Sequence, residues 1–140
     1  MDSLLLGNQI CFPLYSATNR LMRLYRPILK KIGLTYPQYL VMMVLWESDE
    51  QTVTSLGNRL YLDSGTLTPL LKRLERSGLI QRKRSEADER FLLVSLTKNG
   101  KLLKSKAQSV PTKILEISGV SLEEALPLKM VLEKLAPIVS

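Results

Sequence analysis

The stretch Asp63-Ser64-Gly65-Thr66-Leu67-Thr68-Pro69-Leu70-Leu71-Lys72-Arg73-Leu74-Glu75-Arg76-Ser77-Gly78 decides the reading of the chain. After a break at Asp63 to Gly65, Leu67, Leu70, Leu71 and Leu74 recur three or four apart while Lys72, Arg73 and Arg76 fall outside that stripe. The spacing predicts a helix from Thr66 to Ser77, stopped by Gly78 as a C-terminal cap. Pro69 belongs either to the first turn of that helix or to a bend in a longer one. Just upstream, Thr54 to Leu62 has Leu56, Leu60 and Tyr61 among its apolar residues, so two short helices meet about a tight turn, a helix-turn-helix. Reading a DNA groove needs small polar side chains at a helix tip and cations toward the phosphates. Ser64, Thr66 and Thr68 offer the hydroxyls, and Lys72, Arg73 and Arg76 the charge. Taken alone, an ordinary solvated helix with Ser and Thr caps reads the same way.

The residues that follow separate the two readings. Leu79 to Arg84 and Phe91 to Leu96 have strand character around a polar tip from Ser85 to Arg90, which predicts a hairpin, or wing. Arg82, Lys83 and Arg84 climb one strand, and Arg90 sits past the tip with Asp88 two residues before it. A tip arginine suits the narrow minor groove, and a carboxylate fixes a guanidinium fork in one geometry. The plain alternative is that Glu86, Asp88 and Glu89 only neutralise neighbouring cations.

Outward from this centre the pattern is helical. Leu34-Thr35-Tyr36-Pro37-Gln38-Tyr39 carries a capping box, a hydrophobic staple and a first-turn proline, opening a helix to about Trp46, followed by a polar stretch from Ser48 to Gln51. From Ile10 to Ile32 an apolar stripe, widened by Cys11, Tyr15, Met22 and Leu29, predicts a helix buried from two sides, for which dimerisation is the natural reason. Thr97 caps a polar helix toward Ser118 that Pro111 kinks or breaks, and Ser121 with Glu124 opens a last helix bearing Leu122, Leu126, Met130, Val131 and Leu135. The fold class is therefore mostly α with a small β-wing, in the order three helices, recognition helix, wing, two helices.

Composition narrows the function. The 140 residues carry 20 Lys plus Arg against 13 Asp plus Glu, a net charge of +7, which puts nucleic acid first among partners and a membrane surface second. The cations gather on the hairpin and recognition helix and not on one long amphipathic face, so no membrane partner is expected. With no His and with Cys11 the single cysteine, Ser/His/Asp and Cys/His nucleophile pairs, intramolecular disulfides and the usual zinc sets are excluded, and no metal or cofactor is expected. The longest apolar run, Tyr39 to Trp46, falls short of the roughly 20 residues of a membrane span, and Met1-Asp2-Ser3-Leu4 lacks a signal peptide's positive flank. A cytoplasmic chain with a reduced thiol is the expectation.

The run from Leu60 to Glu75, then Gly78-Leu79-Ile80, Arg82 to Glu86 and Asp88-Glu89-Arg90, resembles the MarR family of winged-helix repressors. With Asn8-Gln9-Ile10-Cys11-Phe12, Leu14-Tyr15 and Leu34 to Tyr39, it is similar to the thiol-based oxidation sensors of the OhrR and MgrA type, from about residue 8 to residue 104. The resemblance implies a single 140-residue chain in a homodimer, residues 1–33 and 97–140 supplying the dimerisation helices and 34–96 the winged helix-turn-helix. It places Ser64 to Arg76 in the major groove of a pseudo-palindromic operator and Arg90 in the minor groove. Cys11 matches the reactive cysteine, Tyr25 and Tyr36 the phenols that hydrogen-bond its sulfur from the partner subunit, and Tyr15 a further pocket aromatic. Only the thiolate reacts with peroxide, and phenol donors stabilise it.

Two departures stand out. Pro13 predicts that the first helix kinks there or begins near Phe12, beside Cys11. Without a second cysteine, oxidised Cys11 persists as sulfenic acid, over-oxidises, joins a small thiol, or pairs with another chain. The implied function is a repressor that senses organic hydroperoxide through Cys11 and releases DNA when oxidised. Two other readings use the same residues: a redox-indifferent regulator that binds a small aromatic ligand near Tyr15, Tyr25 and Tyr36, and a one-cysteine thiol peroxidase.

Overall fold

Thr35 and Gln38 close the capping box on both sides: the Thr35 amide donates to Gln38 Oε1 at 3.0 Å, and the Gln38 amide to Thr35 Oγ1 at 3.4 Å. In the computed structural model, which describes residues 2–136, this box opens α2 (Tyr36–Glu47). Before it run a short 3-10 turn at Leu6–Asn8 and α1 (Cys11–Lys30). After it come β1 (Gln51–Thr52), α3 (Val53–Leu60), α4 (Ser64–Arg76), β2 (Ile80–Arg84), β3 (Leu92–Leu96), α5 (Lys98–Ala107), α6 (Val110–Ser118) and α7 (Leu122–Leu135). Residues 1 and 137–140, at the ends of the expected dimerisation segments, lie outside the described residues.

Helix α2 is apolar nearly all round, and a helix of that kind belongs inside. Val41, Met42, Val44 and Leu45 are buried together with Leu56 of α3, Leu67, Leu71 and Leu74 of α4, Ile80 and Val94. Truncating one of these, Leu71→Ala for instance, costs about 2–5 kcal/mol. The antiparallel sheet has the order β1-β3-β2, with Gln51 opposite Val94 and Arg82 also opposite Val94 on the other side.

Several boundaries move from their sequence positions for local reasons. Helix α4 starts at Ser64, not Thr66, because the Asp63 carboxylate accepts from the Thr66 amide at 2.7 Å and so makes Asp63 the N-cap. Pro69 therefore lies in the second turn of α4. Tyr61 does not extend the apolar face of α3; it caps that helix in the left-handed region, φ 54°, with its side chain exposed. The polar stretch before α3 ends in a strand, β1, which was not expected. Helix α1 begins at Cys11, so Pro13 occupies the first turn, where its missing N–H has no intrahelical partner to lose. Pro111 coincides with a break, α5 ending at Ala107 and α6 beginning at Val110, so three helices and not two follow the wing. No helix among the described residues is long and apolar enough to cross a membrane.

The last helix buries nothing within this chain. Leu122, Leu126, Met130, Val131 and Leu135 of α7 are all exposed, as are Ile10, Phe12 and Leu14 around the start of α1.

Candidate nucleic-acid interface and thiol site

The positions read as groove-facing lie on α4 and the wing. Ser64 and Thr66 are exposed in the first turn of α4, while Thr68 is half-buried beside Leu67. Lys72, Arg73 and Arg76 are exposed along the rest of the helix. Because Asp63 occupies the Thr66 amide, its carboxyl titrates below the usual range, held there first by that backbone hydrogen bond.

At the wing tip, the Ser85 amide donates to the Phe91 carbonyl at 2.9 Å, and the Phe91 amide donates to the Asp88 carbonyl at 3.0 Å. This short closed loop presents Asp88 and Arg90 together. Arg90 Nε donates to Asp88 Oδ1 at 3.0 Å and a terminal nitrogen to Oδ2 at 2.7 Å, yet the arginine side chain stays 84% exposed. The side-chain hydrogen bond to Arg90 is the main reason the Asp88 carboxyl titrates below its ordinary value. A fork held by one carboxylate keeps its outer face free for an anion or a groove.

Of the three cations on β2, Lys83 and Arg84 are exposed, but Arg82 is not. Its side chain is only 17% exposed and a terminal nitrogen donates to Glu75 Oε1 at 3.0 Å. The structure thus sets Arg82 apart from the cations with which the sequence groups it. Alternation along a strand sends neighbouring side chains to opposite faces, and Glu75 on α4 waits on the inner one.

Tyr25 and Tyr36 come together across the turn between α1 and α2, with ring centroids 4.7 Å apart, and Tyr39 joins them at 6.2 and 6.3 Å. The groove beside them, about 530 Å³, is lined among others by Met22, Arg26, Lys30 and Gln38. Burial, aided by the two neighbouring phenols, pushes Tyr25 up to about 12, so it remains a hydrogen-bond donor throughout neutral pH. Cys11 is not part of this cluster in the same chain. It is exposed at the first position of α1, with Tyr15 exposed one turn later. Fourteen residues of helix, about 21 Å along the axis, separate Cys11 from Tyr25.

Residues 23–107 match the family described as transcriptional regulator SarA/Rot. The chain is also 52% identical, over 94% of its length and 89% of the relative's, to the organic hydroperoxide resistance transcriptional regulator of Bacillus subtilis. This chain belongs to the SarA/Rot and MarR-type winged-helix regulators. The regulator also superposes on AbfR of Staphylococcus epidermidis solved in its reduced form on DNA, with TM-score 0.77, 42% identity, and coverage of 93% of this chain and 89% of that one. An overoxidised AbfR bound to DNA gives TM-score 0.77 at 37% identity, over 96% and 95% of the two chains. At 24% identity, Escherichia coli MarR on operator DNA shares the fold, with TM-score 0.81 over 91% and 94%.

Three participants escaped the sequence reading of this regulator. Tyr39, read there as a hydrophobic staple, is a third ring of the phenol cluster. Tyr61, read as apolar, is exposed beside the start of α4. Glu75 was given no role, and no spacing rule links it to a residue seven positions on in another element.

Proposed function

We propose that this regulator is a homodimeric repressor of double-stranded, pseudo-palindromic operator DNA that senses organic hydroperoxide through Cys11 and releases its operator on oxidation. The observation that carries the reading is the placement of the single thiol: exposed, on the first turn of a helix whose own phenol cluster is out of its reach. A second chain related by two-fold symmetry brings Cys11 of one subunit to Tyr25 and Tyr36 of the other, with Tyr15 beside the sulfur, and covers the exposed faces of α1 and α7. Of the described residues, 2–33 and 97–136 belong to that dimerisation part, and 34–96 to the reader. Ser64, Thr66 and Thr68 face base edges, Lys72, Arg73, Arg76, Lys83 and Arg84 the phosphates, and Arg90, steadied by Asp88, the minor groove.

The chemistry balances in two steps. The Cys11 thiolate attacks the peroxide, an S–O bond forms as O–O breaks, and the alkoxide leaves as alcohol after taking a proton. The sulfenic acid then condenses with a low-molecular-weight thiol, forming a disulfide and water. A relative of this regulator is known on DNA in an overoxidised form, which favours the bulky mixed disulfide as the releasing state here. The oxidised chain is a signal and not a turnover intermediate, so we assign no enzymatic activity, no cofactor and a cytoplasmic setting where the thiol starts reduced. The groove beside Tyr25, with Arg26 and Lys30 on its wall, favours a second reading, a small aromatic acid as effector. Following DNA release by hydroperoxide and by aromatic acids separately, on the wild type and Cys11→Ser, distinguishes the two.

A further inference from the structure

Arg82 sits on the wing strand yet turns away from solvent, and both oxygens of one carboxylate hold it. Glu75 Oε2 accepts from the Arg82 backbone amide at 3.1 Å while Oε1 accepts from its guanidinium at 3.0 Å. Glu75 belongs to the last turn of α4 and Arg82 to the middle of β2, so one side chain fastens the helix that faces the major groove to the strand that leads to the wing tip. Between them the chain makes the tight turn at Gly78, φ 76°, and Leu74 and Ile80 are buried in the common core.

The pair is poorly suited to stability alone. Arg82 Nε is buried with no hydrogen-bond partner while the Glu75 side chain is 38% exposed, and a partly desolvated, half-satisfied ion pair of this kind is commonly matched by apolar residues of similar volume. What such residues lack is direction. A carboxylate that grips a backbone N–H and a guanidinium at once fixes both the register and the tilt of the strand it holds.

We infer that Glu75 and Arg82 are positioning residues for DNA reading: together they set the angle between α4 and the wing, and Arg82 makes no phosphate contact of its own. The inference rests on the proposed reading that α4 and the wing enter adjacent grooves. Ser64 opens α4 and Arg90 lies at the wing tip beyond β2, so a small change of tilt at Arg82 moves Arg90 relative to the helix and spoils simultaneous engagement. Non-specific attraction to DNA, which depends on charge more than on angle, is left alone.

The test uses the full chain, a duplex that the wild type selects from a randomised pool as the specific probe, and the unselected pool as the non-specific one. The variants are Glu75→Gln, Arg82→Lys and the apolar double replacement Glu75→Leu/Arg82→Met, each with its melting temperature. Expected is a loss of affinity for the selected duplex by about tenfold or more in all three, with pool affinity and salt slope unchanged in the two variants that conserve net charge, Arg82→Lys and the double replacement, and with the double variant as stable as wild type. Lysine keeps the charge but not the fork, so rescue by Arg82→Lys contradicts the inference. So does a fall of about one in the salt slope for the double variant on both duplexes, which marks Arg82 as a phosphate contact. A loss of affinity that follows only the melting temperature makes the role merely structural and overturns it. Failure of the wild type to select any duplex defeats the DNA-reading proposal itself, a result recognisable before any variant is made.

Discussion

Asp88 grips Arg90 at the wing tip through both carboxylate oxygens, at 3.0 Å to Nε and 2.7 Å to a terminal nitrogen, and leaves the guanidinium exposed. The arginine is thereby aimed without being consumed. Arg90→Ala is expected to weaken DNA binding, and Asp88→Asn to weaken it less, since the cation remains but swings free. Fluorescence anisotropy with a labelled operator checks both.

The same pair gives a pH dependence with a definite sign. The Asp88 carboxyl is depressed by its hydrogen bonds to Arg90, so the fork is intact above the ordinary aspartate value and is lost as pH falls through the lowered one. Hairpin order, followed by the Phe91 ring signals in NMR, should persist through mildly acid conditions in the wild type. In Asp88→Asn it should be reduced and insensitive to pH over that range.

Gly100 tests the join between wing and carboxyl-terminal helices. A Cβ there would lie 2.1 Å from the Leu79 carbonyl oxygen, a backbone atom that cannot step aside, and Gly100 also accepts the Trp46 indole N–H at 2.8 Å. Gly100→Ala is expected to destabilise the fold by about 1–3 kcal/mol, read as a lowered melting temperature.

How much of this was legible beforehand follows from how local each signal is. The caps at Thr35, Thr97 and Ser121, the stop at Gly78 and the Asp88–Arg90 pair all act within a few residues, and each forms. β1 escaped because its two polar residues join the sheet through backbone pairing with β3, which no hydropathy pattern announces. Arg82 looked like its neighbours because the carboxylate that removes it from solvent lies on another element. Likewise the approach of Tyr25 to Tyr36 depends on how α1 folds back onto α2, whereas the position of Cys11 at a helix start was readable from Pro13.

The exposed apolar residues of α7 carry the dimer prediction. Leu126→Lys/Met130→Glu places an opposite-charge pair one turn apart on a helix that buries no residue in the single chain, so each subunit should keep its helical content. Sedimentation at micromolar concentration is expected to show a dimer for the wild type and a monomer for this variant, with operator affinity lost in parallel. A dimer of unchanged strength means that other surfaces hold the subunits together.

Tyr25→Phe and Tyr36→Phe remove only the hydroxyls from a cluster whose ring contacts at 4.7 Å remain possible. Reduced-state DNA binding should be largely unchanged while oxidation of Cys11 slows, measured as loss of free thiol against time after addition of organic hydroperoxide.

The most direct test is a DNA-binding titration with organic hydroperoxide, with and without an added small thiol, on the wild type and on Cys11→Ser. Serine cannot climb the oxidation ladder, so the account predicts that the variant binds the operator and holds it at every dose. The wild type should release it, more completely when the thiol is present. Release of both proteins at the same dose would contradict the account and pass the role of sensor to the groove beside Tyr25.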